Sequence, residues 1–271
     1  MRLSNAPTPD LRIVPIQKVI PHEEHDSQRA QPLIERIRRE SFVINPPIVA
    51  PVSEAEYVIL DGANRVYAFQ ALGHQHLLVQ CVQYDSGFVE LETWNHVISA
   101  WTVEEFIEHL ASLPEIHMID GQDANAIAHI VLRTGRVIAL RAPVETVHER
   151  NAALRRFVNI YQQHAVLHRT AISEPETLWT LFEDGIALVF FPPYQPVDII
   201  AAARQRAFLP PGVSRHIVHG RAVQVNYPIA RLLDSETSLE QKNEDLQRWL
   251  RQKMARREIR YYAEATYQFD E

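Results

Sequence analysis

Residues 57–73 read YVILDGANRVYAFQALG, a strand pattern that runs directly into a helix pattern. The first four residues are strand formers, and an Asp-Gly pair follows them. Beyond the turn, Val66, Phe69 and Leu72 recur at i, i+3 and i+6, which places them on one apolar helix face. Gly73 fits the position just past a helix end, where a left-handed backbone favours glycine. The stretch therefore predicts a strand, a tight turn and a helix that ends before Gly73.

The turn in this stretch is a candidate phosphate site. It places Gly62, Ala63 and Asn64 near the first turn of the helix, where backbone N–H groups lack partners within the helix. Such an end attracts anions through its free donors and the helix dipole, and Arg65 adds a planar guanidinium suited to phosphate. Asp61 would then stand at the rim of the site. The alternative is an ordinary turn in which Asp61 caps the helix and Arg65 is solvated.

The composition is that of an ordinary globular protein. Of 271 residues, 46% are hydrophobic and 23% are charged, and the chain is long enough for two modest domains or one large one. A net charge of −7 provides no general attraction to nucleic acid or to an anionic membrane. Cys81 is the one cysteine, which excludes an internal disulfide and a multi-cysteine metal site. With neither a signal-peptide pattern nor a long apolar span, we expect a cytoplasmic protein.

The pattern of elements predicts an α+β protein. Pro32 is compatible with the helix predicted for residues 28–39 only if it lies in the first turn. Strands are predicted at 11–16, 48–52, 57–60, 77–84, 88–92, 130–132, 137–140, 186–191, 217–225 and 258–267, and further helices at 103–111, 144–161, 174–183, 197–207 and 239–256. We expect a domain boundary between residues 100 and 121, which divides the chain into 1–110 and 111–271.

An acidic turn near the N-terminus is a candidate general base. It reads Pro21-His22-Glu23-Glu24, and a carboxylate beside a phosphoryl group can orient a nucleophilic hydroxyl. The alternative is a solvated loop, because most acidic side chains in folded proteins are exposed.

Two further groups of residues suit the recognition of a small ligand. Ser214-Arg215-His216 places a hydroxyl, a guanidinium and an imidazole in a row, a set that suits a carboxylate or a phosphate. Surface exposure explains these three residues equally well. Trp94 follows a strand pattern, a place where a large ring is usually part of the core.

Thirteen histidines raise the question of a metal site. His164 and His168 have a spacing that can chelate a metal on a helix, but no cysteine or Glu-x-x-His pattern accompanies them. Solvated or hydrogen-bonded histidines are commoner than ligands, so we assign no side chain as a metal ligand. A Mg²⁺ ion held mainly by substrate phosphates would leave little trace in the sequence.

The order of these motifs is more specific than any one of them. Along the chain come the Pro-His-Glu turn, a helix, an Asn-Pro-Pro-Ile-Val strand and a Val-Ile-Leu-Asp-Gly-x-x-Arg turn. This order resembles the ParB/sulfiredoxin-like superfamily. Within it the chain is similar to the free L-serine kinase group, which includes serine kinase/regulators of siderophore clusters. Residues 209–217, LPPGVSRHI, together with Gly220-Arg221 and Val225-Asn226-Tyr227-Pro228, resemble the C-terminal segment of that group, whereas residues 121–207 match only loosely.

The resemblance implies a ParB/sulfiredoxin-like nucleotide- and phosphate-binding domain at 1–110 and a mixed α/β substrate-binding lobe at 111–271. It implies transfer of a phosphoryl group from ADP or ATP, with Mg²⁺, to the hydroxyl of free L-serine, which gives O-phospho-L-serine. By their match to the group's motifs, the implied site residues are catalytic Glu23 and Asp61, phosphate-binding Gly62, Ala63, Asn64 and Arg65, and substrate-binding Trp94, Ser214, Arg215 and His216. The sequence fixes neither the donor nor the choice among serine, homoserine and threonine.

One departure from the group bears on activity. The group usually carries Asp-Gly-His-His-Arg, whereas this chain has Asp-Gly-Ala-Asn-Arg at 61–65. Ala63 lacks a side-chain donor, and Asn64 forms hydrogen bonds but cannot carry a charge or shuttle a proton. Because the backbone donors survive, phosphate binding is expected, and a binder without catalysis is an open alternative.

The second candidate function is a ParB-like nucleotide-binding transcriptional regulator or DNA-binding protein without kinase activity. DNA affinity depends on many phosphate contacts, and the net charge of −7 disfavours it. The basic side chains between Arg248 and Arg260 could form a local patch or a solvated helix face balanced by acidic neighbours. Sulfiredoxin chemistry is excluded, because residues 62–65 lack its cysteine nucleophile. We therefore expect L-serine and a nucleotide as partners rather than DNA or a membrane.

Overall fold

The computed structural model describes residues 7–143 and 145–262, which form two compact units. Unit 1 comprises the residues up to Ile20, His25–Glu90 and the residues from Ile217 onward, and unit 2 comprises Pro21–Glu24 and Leu91–His216. These units differ from the predicted division at residue 110. Residues 91–110 lie in the same unit as the middle of the chain, and the C-terminal helices share a core with the first third.

Strands and helices alternate along most of the described chain. The strands are β1 (Asp10–Pro15), β2 (Val19–Ile20), β3 (Phe42–Val43), β4 (Ile48–Pro51), β5 (Tyr57–Asp61), β6 (His76–Cys81), β7 (Val89–Thr93), β8 (Asn95–Ser99), β9 (His117–Asp120), β10 (Ala128–Leu132), β11 (Val137–Arg141), β12 (Val166–Thr170), β13 (Gly185–Phe190), β14 (Ser214–Val218) and β15 (Tyr227–Pro228). The helices are α1 (Ser27–Arg39), α2 (Ala63–Ala71), α3 (Val103–Ala111), α4 (Val147–His164), α5 (Pro175–Leu181), α6 (Pro196–Arg204), α7 (Ile229–Leu233) and α8 (Leu239–Ala255). The mixture confirms the predicted α+β class.

The main sheet of unit 1 has the strand order β1-β6-β4-β5-β2. Its central strand β4 runs antiparallel to β5 and parallel to β6. Ile48, Val49 and Ala50 are all buried, which is the pattern of a strand covered on both faces. Leu232 of α7 and Leu246 of α8 join the same core. The C-terminal helices are therefore part of unit 1.

The strand, turn and helix predicted for residues 57–73 are confirmed as β5 and α2. Val66 and Phe69 are buried in the core of unit 1, as their spacing predicted. Gly73 has a φ of +78°, and the N–H of His74 donates to the carbonyl of Phe69. This is the Schellman end that a glycine after the last helical residue favours.

Helix α1 confirms the helix predicted at residues 28–39, but the expected position of Pro32 was wrong. Pro32 lies inside α1 rather than in its first turn. The residue is exposed, while Ile34 and Ile37 are buried in the core. Proline removes one hydrogen-bond donor from the helix, and its position on the solvent-exposed face keeps the ring out of the packed core.

Unit 2 is built on an antiparallel sheet with the strand order β12-β8-β13-β10-β11-β9. β10 and β11 form the predicted hairpin, and Val97 of β8 pairs with Leu188 of β13 in the buried centre. Helix α4 follows Thr146, whose side chain forms a capping box with Glu149. The predicted start of this helix, residue 144, lies outside the described residues. Among the described residues, no helix combines the length and apolar character needed to cross a lipid bilayer.

Two local predictions in the second half of the chain were wrong. The strand predicted to reach residue 225 ends at Val218, because Gly220 and Gln224 both have positive φ angles that a strand does not accommodate. Residues 258–262 do not form the predicted strand at 258–267, whose remainder lies outside the described residues. His164 ends α4 whereas His168 lies in β12, so the pair does not share a helix.

Candidate active site

The acidic turn is held in place by backbone hydrogen bonds within unit 2. The N–H of Leu209 donates to the carbonyl of His22 over 2.8 Å, and the N–H of Glu24 donates to the carbonyl of Leu209 over 2.9 Å. Glu23 and Leu209 thus form a parallel bridge. The two motifs singled out in the sequence, Pro-His-Glu and Pro-Pro-Gly-Val-Ser, are therefore neighbours in space.

The carboxylate of Glu23 is the centre of this arrangement. Oε2 accepts from the backbone N–H groups of Gly212 at 2.5 Å and of Val213 at 3.3 Å, and Oε1 accepts from the Ser214 hydroxyl at 2.5 Å. The His22 Nε2 lies 2.7 Å from Ser214 Oγ and 3.2 Å from Glu23 Oε1. Because the Ser214 proton is used on Glu23, the His22 Nε2 carries a proton and donates to Ser214. The solvated-loop alternative is excluded, since the Glu23 side chain is only 12% exposed.

Glu23 is ionised despite its burial. Burial alone would raise the pKa of Glu23, but the hydrogen bond and charge of His22 and the hydrogen bonds from Ser214 and Gly212 outweigh it. The net effect holds the pKa below its ordinary value. The carboxylate therefore accepts hydrogen bonds at neutral pH and can orient a hydroxyl brought to it.

Trp94 and Arg215 form a second group in the same unit. The Arg215 Cζ lies 4.7 Å from the centroid of the Trp94 ring, and Nη1 donates to Glu92 Oε2 over 2.7 Å. The backbone N–H of Trp94 donates to the carbonyl of Val213, the residue before Ser214. Trp94 is half-buried, so one part of the ring remains open to solvent. A guanidinium on an aromatic face is well placed to bind a carboxylate.

His216 completes the run predicted from the sequence. Its ring meets that of His22 edge to face, with 5.4 Å between the centroids. The structure thus brings together five of the residues proposed from the sequence, all of them in unit 2: Glu23, Trp94, Ser214, Arg215 and His216.

The phosphate turn lies in unit 1, at the start of α2. Gly62 is the N-cap with a φ of +94°, and no side chain caps the helix. The φ of Gly62 disfavours any side chain, and a Cβ there would lie 2.8 Å from Arg65 Nη2 and 3.1 Å from the Pro47 Cβ, so alanine would also displace the Arg65 guanidinium. N–H groups in the first turn of a helix have no acceptor within the helix, so this end of α2 suits an anion, and its use for phosphate stays a prediction.

Asp61 does not cap the helix, which excludes the ordinary-turn alternative. Its Oδ2 accepts from Arg65 Nη2 at 3.0 Å and also from Arg221 Nη2. Burial would raise the pKa of Asp61, but the charges of Arg65 and Arg221 outweigh it and hold the pKa below its ordinary value. The Arg65 Nε is buried and has no hydrogen-bond partner among the described residues. The cluster offers guanidinium donors to an anion.

Arg221 is a site residue that the sequence reasoning missed. It stands 160 positions from Asp61 and lay inside a predicted strand, so no local pattern linked the two. The Gly-Arg pair at 220–221 was part of the resemblance, and that was the one signal available. Asn64 is used structurally, because its Oδ1 accepts from the backbone N–H of Asp26 at 2.9 Å.

The described residues contain no cluster of three or more His, Cys, Asp or Glu side chains able to hold a metal ion by themselves. Asp61 is the carboxylate nearest the phosphate turn in sequence, and both of its arginine bonds use Oδ2. Its second oxygen suits an ion shared with nucleotide phosphates, the usual mode of Mg²⁺.

Comparisons with known proteins agree with these motifs. No family model matches the chain. It is 34% identical over 83 residues to an ATP-dependent L-serine kinase of Desulfurococcus mucosus, across 30% of this chain and 32% of that protein. It is 22% identical over 231 residues to the ATP-dependent L-serine kinase SbnI of Staphylococcus aureus, across 85% of this chain and 87% of SbnI. The chain thus spans about a third of the first relative's length.

Solved structures share the fold. C-terminally truncated SbnI from Staphylococcus aureus matches with a TM-score of 0.70 and 19% identity, over 91% of this chain and 96% of that one. Free serine kinase in complex with AMP matches with a TM-score of 0.73 and 15% identity, over 84% of this chain and 95% of that one. The resemblance seen in the sequence is confirmed: this chain has the fold of free serine kinase, and its sequence is similar to those of ATP-dependent L-serine kinases.

Proposed function

We propose that the protein is an ATP-dependent kinase that phosphorylates the hydroxyl of free L-serine and releases O-phospho-L-serine and ADP. The observation that carries the proposal is the ionised Glu23, held by the Gly212 N–H and the Ser214 hydroxyl in the unit that also contains Trp94 and Arg215. The names of the relatives support ATP as donor and serine as acceptor.

Glu23 orients the acceptor hydroxyl and takes its proton. The bond between the serine Oγ and the γ-phosphorus forms as the bond from that phosphorus to the bridging oxygen of ADP breaks. The hydroxyl proton passes to Glu23. A carboxylate with a lowered pKa is a weak base, which suits phosphoryl transfer, because a loose transition state requires orientation more than early deprotonation.

The turn at Gly62–Arg65 binds the nucleotide phosphates. The N–H groups at the start of α2 and the helix dipole attract the anion, and Arg65 and Arg221 supply charge. We propose that Mg²⁺ accompanies the nucleotide, with Asp61 as its protein ligand; such an ion neutralises phosphate charge. Ala63 and Asn64 do not impair this role, because it depends on backbone donors.

The amino-acid substrate is recognised by the second group of unit 2. Arg215 binds the carboxylate, Trp94 supplies an aromatic wall, and His216 lies beside His22 near Glu23. Ser214 fixes Glu23 through its hydroxyl rather than contacting substrate as its main role. Serine fits this assignment because it offers both a carboxylate and a primary hydroxyl.

Phosphorus NMR tests the proposal. The protein is incubated with Mg²⁺, ATP or ADP, and L-serine, L-homoserine or L-threonine in separate samples. The expected result is an O-phospho-L-serine resonance with ATP and L-serine. If calorimetry shows nucleotide binding but no phosphorylated amino acid forms, the result would contradict the proposed kinase activity. It would favour the alternative of a nucleotide-binding regulator without kinase activity.

A further inference from the structure

A buried histidine lies directly behind the Glu23 site. His96 of β8 has no exposed surface, and its two ring nitrogens both have partners. Nε2 lies 2.8 Å from the carbonyl oxygen of Gly212, and Nδ1 lies 2.8 Å from the hydroxyl of Tyr161, which is also fully buried. Neither residue was singled out for a role by its sequence pattern.

The partners determine which nitrogen of His96 carries the proton. A carbonyl oxygen only accepts hydrogen bonds, so Nε2 must donate to Gly212. Tyr161 can then donate its hydroxyl proton to the unprotonated Nδ1. Burial lowers the pKa of His96 to about 4, against the opposing hydrogen bond to Gly212. The ring is therefore neutral at physiological pH, in the tautomer that the Gly212 carbonyl requires, and the Tyr161 hydroxyl satisfies the other nitrogen.

This hydrogen bond acts on Glu23 through one peptide group. The carbonyl of Gly212 and the N–H of Val213 belong to the same planar trans peptide and point in opposite directions. Holding the carbonyl on His96 therefore aims the Val213 N–H at Glu23 Oε2, 3.3 Å away. The preceding N–H, that of Gly212, donates to the same oxygen at 2.5 Å.

The conformation of Gly212 is enforced from its other side. Gly212 has a φ of +75°, and a Cβ there would lie 2.0 Å from the Nε of Arg169. Arg169 also donates through Nη2 to the carbonyl of Pro211 at 3.3 Å. The two successive peptides that donate to Glu23 are thus each held at their carbonyl, the first by the Arg169 guanidinium and the second by the buried His96 imidazole.

We propose that His96, in its Nε2-protonated neutral form, is a positioning residue for Glu23, acting through the Gly212–Val213 peptide, with Tyr161 as the donor that satisfies its other ring nitrogen. The catalytic consequence rests on the proposed kinase function. The arrangement of the hydrogen bonds does not, and it is tested separately.

The first test needs no activity. Nitrogen NMR of the full-length protein labelled at histidine gives the tautomer of His96, assigned by comparison with His96→Gln. The expected spectrum at pH 7 shows a protonated Nε2 and an unprotonated Nδ1, and Tyr161→Phe keeps this tautomer because the Gly212 carbonyl still accepts from Nε2. A protonated Nδ1 in the wild-type protein, or a switch to protonated Nδ1 in Tyr161→Phe, overturns the proposal.

The second test measures the effect on Glu23. His96→Leu removes the donor, whereas His96→Gln retains an amide N–H that can reach the Gly212 carbonyl. In His96→Leu we expect kcat to fall at least about 10-fold with the KM for ATP unchanged, and His96→Gln to recover most of the loss. Carbon NMR of labelled glutamate should show a raised pKa of Glu23 in His96→Leu alone. Equal kcat and Glu23 pKa in folded His96→Leu and wild type overturn the proposal.

The NMR and kinetic measurements distinguish a failure of the kinase proposal from a failure of the His96 proposal. If the wild-type protein transfers no phosphate, the kinase proposal fails, and the His96 tautomer and the Glu23 pKa still decide the positioning role. If His96→Leu does not fold, the tautomer of His96 in the wild-type protein and in Tyr161→Phe still decides whether Nε2 donates to the Gly212 carbonyl.

Discussion

Glu23 in unit 2 and Asp61 in unit 1 are both ionised carboxylates with lowered pKa values, but their partners differ in charge. Glu23 accepts mainly from backbone N–H groups and a hydroxyl, with His22 beside it. Asp61 accepts from the guanidinium groups of Arg65 and Arg221. The same type of side chain is therefore stabilised in two ways within one chain.

The difference assigns the two carboxylates different tasks. Asp61 is held by two guanidinium groups, whereas Glu23 faces the single ring of His22 and donors without formal charge, which leaves more of its negative charge available to an approaching hydroxyl proton. Two guanidinium groups on Asp61 leave an excess positive charge, which attracts phosphate rather than a proton. The comparison teaches that a lowered pKa alone does not identify a base; the charge of the partners does.

The two sites also share a steric device. Beside each carboxylate is a glycine with a positive φ whose missing Cβ leaves room for an arginine, Gly62 for Arg65 and Gly212 for Arg169.

Gly212→Ala should destabilise the protein by about 2–3 kcal/mol, because the Cβ requires a left-handed backbone and displaces Arg169. Gly135→Ala is the matched control, since Gly135 also has a positive φ but open space around it. It should cost about 1 kcal/mol. Urea unfolding measures both. Equal losses would mean that Arg169 moves aside without cost.

Arg65→Gln and Arg221→Gln should each weaken ATP binding by roughly 10- to 100-fold, because each removes a guanidinium group that donates charged hydrogen bonds to the nucleotide phosphates. In the double variant, the loss of ATP-binding free energy should be smaller than the sum of the losses in the two single variants, since both arginines bind Asp61. Calorimetry provides the affinities. Arg38→Gln on the exposed side of α1 is the control, and a similar loss there would indicate only a general charge effect.

Stability should fall as the pH falls from 6.5 toward 4. His96 has a folded pKa of about 4, so in this range the unfolded chain binds a proton that the folded chain does not. The contribution lost at pH 5 is about 2 kcal/mol relative to neutral pH. Urea unfolding at pH 7.5 and pH 5 should show this loss of unfolding free energy in the wild type and not in His96→Gln. His74 and His76 of unit 1, whose pKa values are also lowered, titrate in both proteins. An identical pH dependence in the two would contradict the buried neutral state.

Arg215→Gln should raise the KM for L-serine about 10-fold and leave the KM for ATP unchanged, because the guanidinium is assigned to the amino-acid carboxylate. Steady-state kinetics with each substrate varied separates the two constants. Arg136→Gln, which removes an exposed arginine paired with Asp120, is the matched control. A parallel rise in the KM for ATP would place Arg215 on the nucleotide instead.

Local structure was predictable from the sequence where the signal was periodic. The helix face of Val66 and Phe69 and the glycine end of α2 follow from spacing alone. Pro32 and the strand continuing through Gly220 show the limit, because solvent exposure and a positive φ are set by tertiary context.

The site was predictable only in its parts. Glu23 and Gly212 are 189 positions apart, and nothing local in either segment indicates their contact. Resemblance brought the two motifs together, whereas it gave no role to His96, Tyr161 or Arg169. These residues act through buried hydrogen bonds and close packing, which depend on the folded chain rather than on a motif.

The most direct test of the central claim compares Glu23→Gln with Glu24→Gln in a single-turnover phosphorus NMR experiment with Mg²⁺, ATP and L-serine. Glu24 is the adjacent carboxylate, paired with Arg155. The account predicts that Glu23→Gln slows transfer by about 10³-fold or more while ATP affinity is retained, and that Glu24→Gln transfers at the wild-type rate. Transfer by Glu23→Gln at the rate of Glu24→Gln would contradict the assignment of Glu23 as the proton acceptor.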